Sequence, residues 1–216
     1  MKSILLFACC ISSFVVFNQS IDDLFTKSDV RISWLGIDFS HVKLIGDFSE
    51  FSSAGSKSAL QVRDEYFPKW NKLILDERNK YDIAKMMHKP EIYYDIDMVM
   101  DLNANADVEE LTSYNEPKYT GDDIKKFIAK YTFGGREDIG VAFIAETLNK
   151  SEGNAYYHFV AINMKTGELL IHERIKSAPL GVGLRNYWAG SIYRVLREIE
   201  ESYYYKWKRD WKKSKS

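Results

Sequence analysis

Residues 140–175 read GVAFIAETLNKSEGNAYYHFVAINMKTGELLIHERI. Two runs rich in β-branched and aromatic residues, 140–148 and 155–164, flank the polar stretch 150–154. A third run, 168–175, follows the tight turn Lys165-Thr166-Gly167, where glycine supplies a positive φ without steric cost. The pattern predicts an antiparallel three-strand meander. Residues 184–207 then place Ile192, Val195, Leu196 and Ile199 on one helical stripe and Glu198, Glu200 and Glu201 on the wet side, which predicts a long final helix.

Upstream, residues 30–39 are β-like around Ile32, Trp34 and Leu35. Residues 56–87 carry Leu60, Phe67, Trp70, Leu73, Ile74 and Ile83 at roughly helical spacing, with a restart expected at Pro68. Residues 92–102 alternate acid with apolar side chains and read as a strand. A short helix is expected over 107–111, and a better one over 121–131, where Asp122 and Asp123 meet the positive end of the helix dipole. The simplest architecture that buries these faces is α/β (α+β): one mixed sheet carrying the carboxyl-terminal meander and packed by helices. Its first two strands, 30–39 and 92–102, are expected to pair in parallel through a right-handed crossover.

The first twenty residues, MKSILLFACCISSFVVFNQS, have the basic start, short apolar middle and polar end of a cleavable signal peptide. The apolar run of about 14 residues is short for a membrane span of roughly 20. Residues 1–20 are therefore expected to be removed, 21–205 to form a single α/β domain, and 206–216 to form a basic aromatic tail. Export, to the periplasm or the outer-membrane periphery, follows as an expectation. Cys9 and Cys10, the chain's two cysteines, lie in that leader, so the mature chain is expected to lack thiol chemistry. The balance of 30 Lys and Arg against 31 Asp and Glu argues against a general nucleic-acid binder.

The hairpin stretch 141–175 and the glycine-containing entry to the last helix, GVGLRNYWAGSIYRVLREI (181–199), resemble the α/β domain shared by the TolB amino-terminal domain, the curli secretion lipoprotein CsgG and the penicillin-binding-protein activator LpoB. In that family the second strand often ends in D-x-x-T-G-E; here Asn163 stands in place of the acid. The resemblance implies a non-catalytic part of an envelope assembly, with an envelope protein as partner. It brings no catalytic residues with it.

Several clusters are candidates for chemistry. Asp38, Ser40, His41 and Lys43 follow the first strand, where open α/β sheets place ligands. Ser, His and Asp this close in sequence do not form a triad without a contrived loop, so a small hydrolase or metal-dependent enzyme using Asp38, His41 and the acidic strand is the alternative reading. Asp95, Asp97 and Asp101 sit at strand spacing, with Asp95 and Asp97 expected to share a face. His158 and His172 fall on adjacent strands as cross-strand or diagonal neighbours, with Glu146 nearby and Glu173 pointing to the opposite face. A third metal ligand is not evident, so neither a metal site nor a cofactor is expected. Arg185 and Asn186 open the last helix, where free N–H groups attract anions and Asn186 is a possible cap. Lys206, Trp207, Lys208, Arg209, Trp211, Lys212 and Lys213 mix rings with cations, a composition suited to an acidic partner or an anionic lipid surface. Nucleic acid is not expected as a partner of an exported chain.

Overall fold

A computed structural model describes residues 19–49 and 55–216. The expected leader falls almost entirely outside the described residues. From Ser20 onward the elements are α1 (Ile21–Thr26), β1 (Ile32–Asp38), β2 (Lys43–Ile45), α2 (Ala59–Gln61), α3 (Phe67–Asp76), α4 (Ile83–Met86), β3 (Tyr93–Tyr94), α5 (Asp97–Ala104), α6 (Gly121–Ile128), β4 (Ile139–Asn149), β5 (Asn154–Asn163), β6 (Leu169–Ser177), α7 (Leu184–Glu198) and α8 (Tyr204–Lys213). They form one mixed sheet in the order β3-β1-β4-β5-β6, with β2 also paired to β4.

β4 is the axis of this sheet. All eleven of its residues are buried. It runs antiparallel to β5 on one edge. On the other edge it runs parallel first to β1, over Ile139 to Ile144, and then to β2, over Thr147 to Asn149. The meander is the one expected, and Asn163 explains its second turn. The Asn163 side-chain oxygen accepts from the N–H groups of Lys165 at 2.9 Å and Thr166 at 3.0 Å, which closes the turn.

The larger core lies on the face covered by α3, α7 and α8, and includes Trp34, Trp70, Phe143, Tyr157, Phe159 and Trp188. The smaller one, on the other face, gathers Leu35, Val99, Ile124, Ile128, Ile144 and Val160 under α5 and α6. The final helix runs from Leu184 to Lys213 through a π-helical turn, Ile199–Tyr203. His88 donates from Nε2 to the Glu200 carbonyl in that turn at 3.0 Å and stacks on Tyr204.

Three expectations are corrected. Residues 92–102 are a strand only at Tyr93–Tyr94; Asp97–Ala104 is helix. Ile96, Val99 and Asn103 are its buried positions, a spacing of three and four that an alternating reading of D-I-D-M-V-M-D conceals. Asp95 and Asp97 therefore do not share a strand face: Asp95 pairs with Arg136, and Asp97 opens α5. Gly183, not Asn186, caps α7. Pro68 does stand in the first turn of α3, and the break before it is a π-helical turn at Val62–Tyr66 rather than a gap in the helix. The strand β2 was not foreseen. The parallel pairing of the first strand with the 92–94 segment was, at Ser33↔Tyr93 and Trp34↔Tyr94.

β1 outruns this two-residue partner, and side chains replace the missing strand. Asn71 of α3 accepts from Ile37 N–H at 2.7 Å and donates to Ile37 C=O at 2.9 Å. Asn103 of α5 accepts from Phe39 N–H at 2.6 Å and donates to the same carbonyl. Gly36, at φ +104°, permits this approach: a Cβ there would stand 2.7 Å from Asn71 Oδ1. Replacing Asn71 by alanine strands buried backbone groups, at a cost of about 2 kcal/mol. Urea denaturation checks this, with the exposed Asn79→Ala expected to stay within about 0.5 kcal/mol of the parent.

Candidate functional site

β4 carries a bulge between Ala145 and Thr147, so Glu146 is the extra residue that no residue of β5 opposes. At the same level β1 has ended and β2 has not begun. Glu146 follows Ala142 and Ile144 onto the smaller-core face, and the bulge returns Leu148 to the larger core. Glu146 is fully buried, as is His158. Its Oε2 accepts from His158 Nε2 at 2.9 Å and from Tyr119 N–H at 2.9 Å. Arg174 donates Nε to both oxygens at 3.1 Å and Nη2 to Oε1. The guanidinium lies over Tyr156 at 3.7 Å. Burial alone would push the Glu146 carboxyl up; the bonds from His158, Arg174 and Tyr119 overcome it and hold it below its ordinary value.

An ionised Glu146 fixes one proton of the pair: His158 donates from Nε2. His172 Nε2 stands 2.7 Å from His158 Nδ1, so one proton is shared between the two rings. The two rings stack at 5.0 Å. They are diagonal neighbours, since His158 pairs with Arg174 and His172 with Val160. Glu173 does face the other way, toward Lys206 and Trp207.

The Asp38–His41 loop adjoins this cluster. Asp38 is buried; its Oδ1 accepts from Ser40 N–H at 2.8 Å and Ser40 Oγ at 2.6 Å, and its Oδ2 from Tyr131 OH at 2.8 Å. His41 stacks on Phe127 at 3.8 Å, with Lys130 Nζ 3.4 Å from its Nε2. Tyr119 joins the two clusters, because its hydroxyl donates to His41 C=O at 2.6 Å while its N–H serves Glu146. Burial and the Glu146 charge push the Tyr119 phenol up to about 12, so it stays a donor. Lys43 turns away to Glu110.

The structure does not bring the remaining candidates to this site. Arg185 pairs with Glu77 at 3.5 Å, beside Asn186, at the start of α7. The basic tail is a docked helix. Trp207 stacks on Phe159 at 4.6 Å and donates to Glu173; Trp211 donates to Asp22 at 2.6 Å and packs on Phe25. Lys206 is held by Glu173. Lys208 is half-buried and Arg209, Lys212 and Lys213 are exposed, so a lipid or acidic partner would meet cations without the two tryptophans. Among the described residues no three His, Cys, Asp or Glu side chains are grouped to hold a metal ion.

Tyr119, Tyr131, Lys130 and Arg174 complete the site, and no motif marked them. No protein-family model matches the chain, and no curated protein or solved structure matches it.

Two measurements check this account. Glu146→Gln leaves a partly buried guanidinium uncompensated and should cost about 3 kcal/mol, with much of that recovered by adding Arg174→Met. Burial holds both His172 and His41 below the ordinary 6.5, assisted at His172 by His158 against Glu173, and opposed at His41 by Asp38 while Lys130 and Lys43 assist. The unfolded chain therefore takes up these protons first as pH falls. Their stabilising effect is complete above about pH 6.5 and is lost on acidification below it. The urea midpoint should fall between pH 7.5 and 5.5, and fall less in His172→Gln.

Proposed function

We propose that this chain is a non-enzymatic binding module of the cell envelope, reached by export. The observation that carries the non-enzymatic part is that its acid–base groups are occupied by one another. Ser40 gives its hydroxyl proton to Asp38 rather than to His41, so the serine is not activated. Glu146 has its lone pairs taken by Arg174, His158 and Tyr119, which removes it as a general base. His172 Nε2 is engaged by His158 Nδ1, and no nucleophile stands beside His172 among the described contacts. The envelope setting is supported by the leader-like residues 1–20 and by the resemblance of 141–199 to the TolB, CsgG and LpoB domain.

Two experiments test the proposal. Purified protein should not turn over ester, phosphoester, glycoside or peptide reporter substrates. Turnover by the parent that disappears in both His41→Ala and His172→Ala would overturn the non-enzymatic reading. Cross-linking in envelope fractions of the producing cell should trap a discrete adduct, and its absence there would overturn the envelope reading.

A further inference from the structure

The carboxyl ends of the parallel strands β2 and β4 open into a cavity of about 860 Å³. Open α/β sheets hold ligands in this position, and the volume lies in the range of small-molecule sites. Gly46 and Ser151 close its floor: a Cβ at Gly46, φ +91°, would stand 2.5 Å from Ser151 Oγ. The walls carry the hydroxyls of Thr112 and Ser151 and the carboxylate of Glu152, beside Ser56, Ser113, Asp47 and Asn149, which also bond within the protein. Tyr114 stands at the same cavity fully exposed, at 101 % of its reference surface. Such a ring leaves its whole apolar face in water.

We infer that this cavity is a binding site for a neutral saccharide unit of a glycan. The lining has no lysine, arginine or histidine, and its two carboxylates would repel phosphate, sulfate or an acidic sugar. The nearby Lys150 ammonium is engaged by the Ser49 carbonyl at 2.8 Å. Hydroxyl, amide and carboxylate groups instead match the donors and acceptors of a polyol, and carboxylates form the stronger of these bonds. Tyr114 supplies the flat surface on which the C–H face of a pyranose ring can lie, with its hydroxyl still in water. Asn149 is fixed for such a role: its Oδ1 accepts from Glu152 N–H at 3.0 Å and its Nδ2 donates to Glu116 at 2.9 Å, so the loops on both sides of the cavity are tied to the end of β4. The inference rests on, and narrows, the reading of the chain as a binding module.

The test is titration of the full chain with three neutral oligosaccharides: a chitohexaose, a maltohexaose and a β-1,3-glucan hexamer. Calorimetry and amide chemical shifts are the readouts. At least one should bind, with shifts at Gly46, Thr112 and Ser151. Tyr114→Ala should weaken binding about tenfold, Tyr114→Phe should retain it, and Tyr205→Ala, an exposed tyrosine on α8, should leave it unchanged. No binding at millimolar concentration, shifts confined to other residues, or indifference to Tyr114→Ala would overturn the inference. So would saturable binding of a peptide in the same cavity. Each of these results leaves a cross-linked envelope partner standing, whereas hydrolysis of a bound oligosaccharide would overturn the non-enzymatic reading and leave the site.

Discussion

One constraint runs through this molecule: β4 is covered on both faces and both edges, so a charged side chain it carries must find its partners in protein. Glu146 is that side chain. Its charge costs several kcal/mol to bury alone, and an arginine, a histidine and a backbone N–H are assembled to offset that. The arginine comes from β6, the histidine from β5 and the N–H from the chain just before α6. The carboxylate thus joins three elements that apolar packing would leave free to slide.

The same requirement recurs at smaller scale along β1. Its strand-unpaired backbone is finished by two buried asparagines, and Asp38 at its end is satisfied by Ser40 and Tyr131. Polar atoms on this face are few, each is placed, and together they fix register where hydrophobic contact is indifferent to a shift of a few ångströms. Binding surfaces then fall to loops at the ends of strands, which the interior does not need.

Much of the fold was legible because hairpin chemistry is local. Lys165-Thr166-Gly167 and the polar stretch 150–154 mark their turns in a few residues, and the final helix announces itself through Ile192, Val195, Leu196 and Ile199. The 92–102 segment was misread because Asp95, Ile96, Asp97 and Met98 alternate for one helical turn, too short for the two periods to separate. β2 has three residues and no pattern to detect. Of the site, His158, His172, Asp38 and His41 were visible as residue types, but their convergence was not. It depends on the register that sets Arg174 and His158 against Glu146 and on Tyr119, a loop residue, reaching in two directions at once. Neither has a signature in one sequence. The packing of the tryptophans of 206–216 was not legible for a related reason: an aromatic among lysines reads the same in sequence whether it is open to solvent or covered, as these are by Phe25 and Phe159.

The clasp between the two ends of the described chain has a temporal meaning. Trp211 and Lys215 hold Asp22 across 189 and 193 residues. A ribosome delivers the chain from the amino end, and residues near position 22 emerge long before those near 211. β1 likewise waits for β4, about a hundred residues later, before it has a neighbour of more than two residues. The amino-terminal half therefore has little it can complete on its own while synthesis continues. Contacts this far apart in sequence are the slow ones to form, so closure of the sheet and of the clasp belongs to the end of folding.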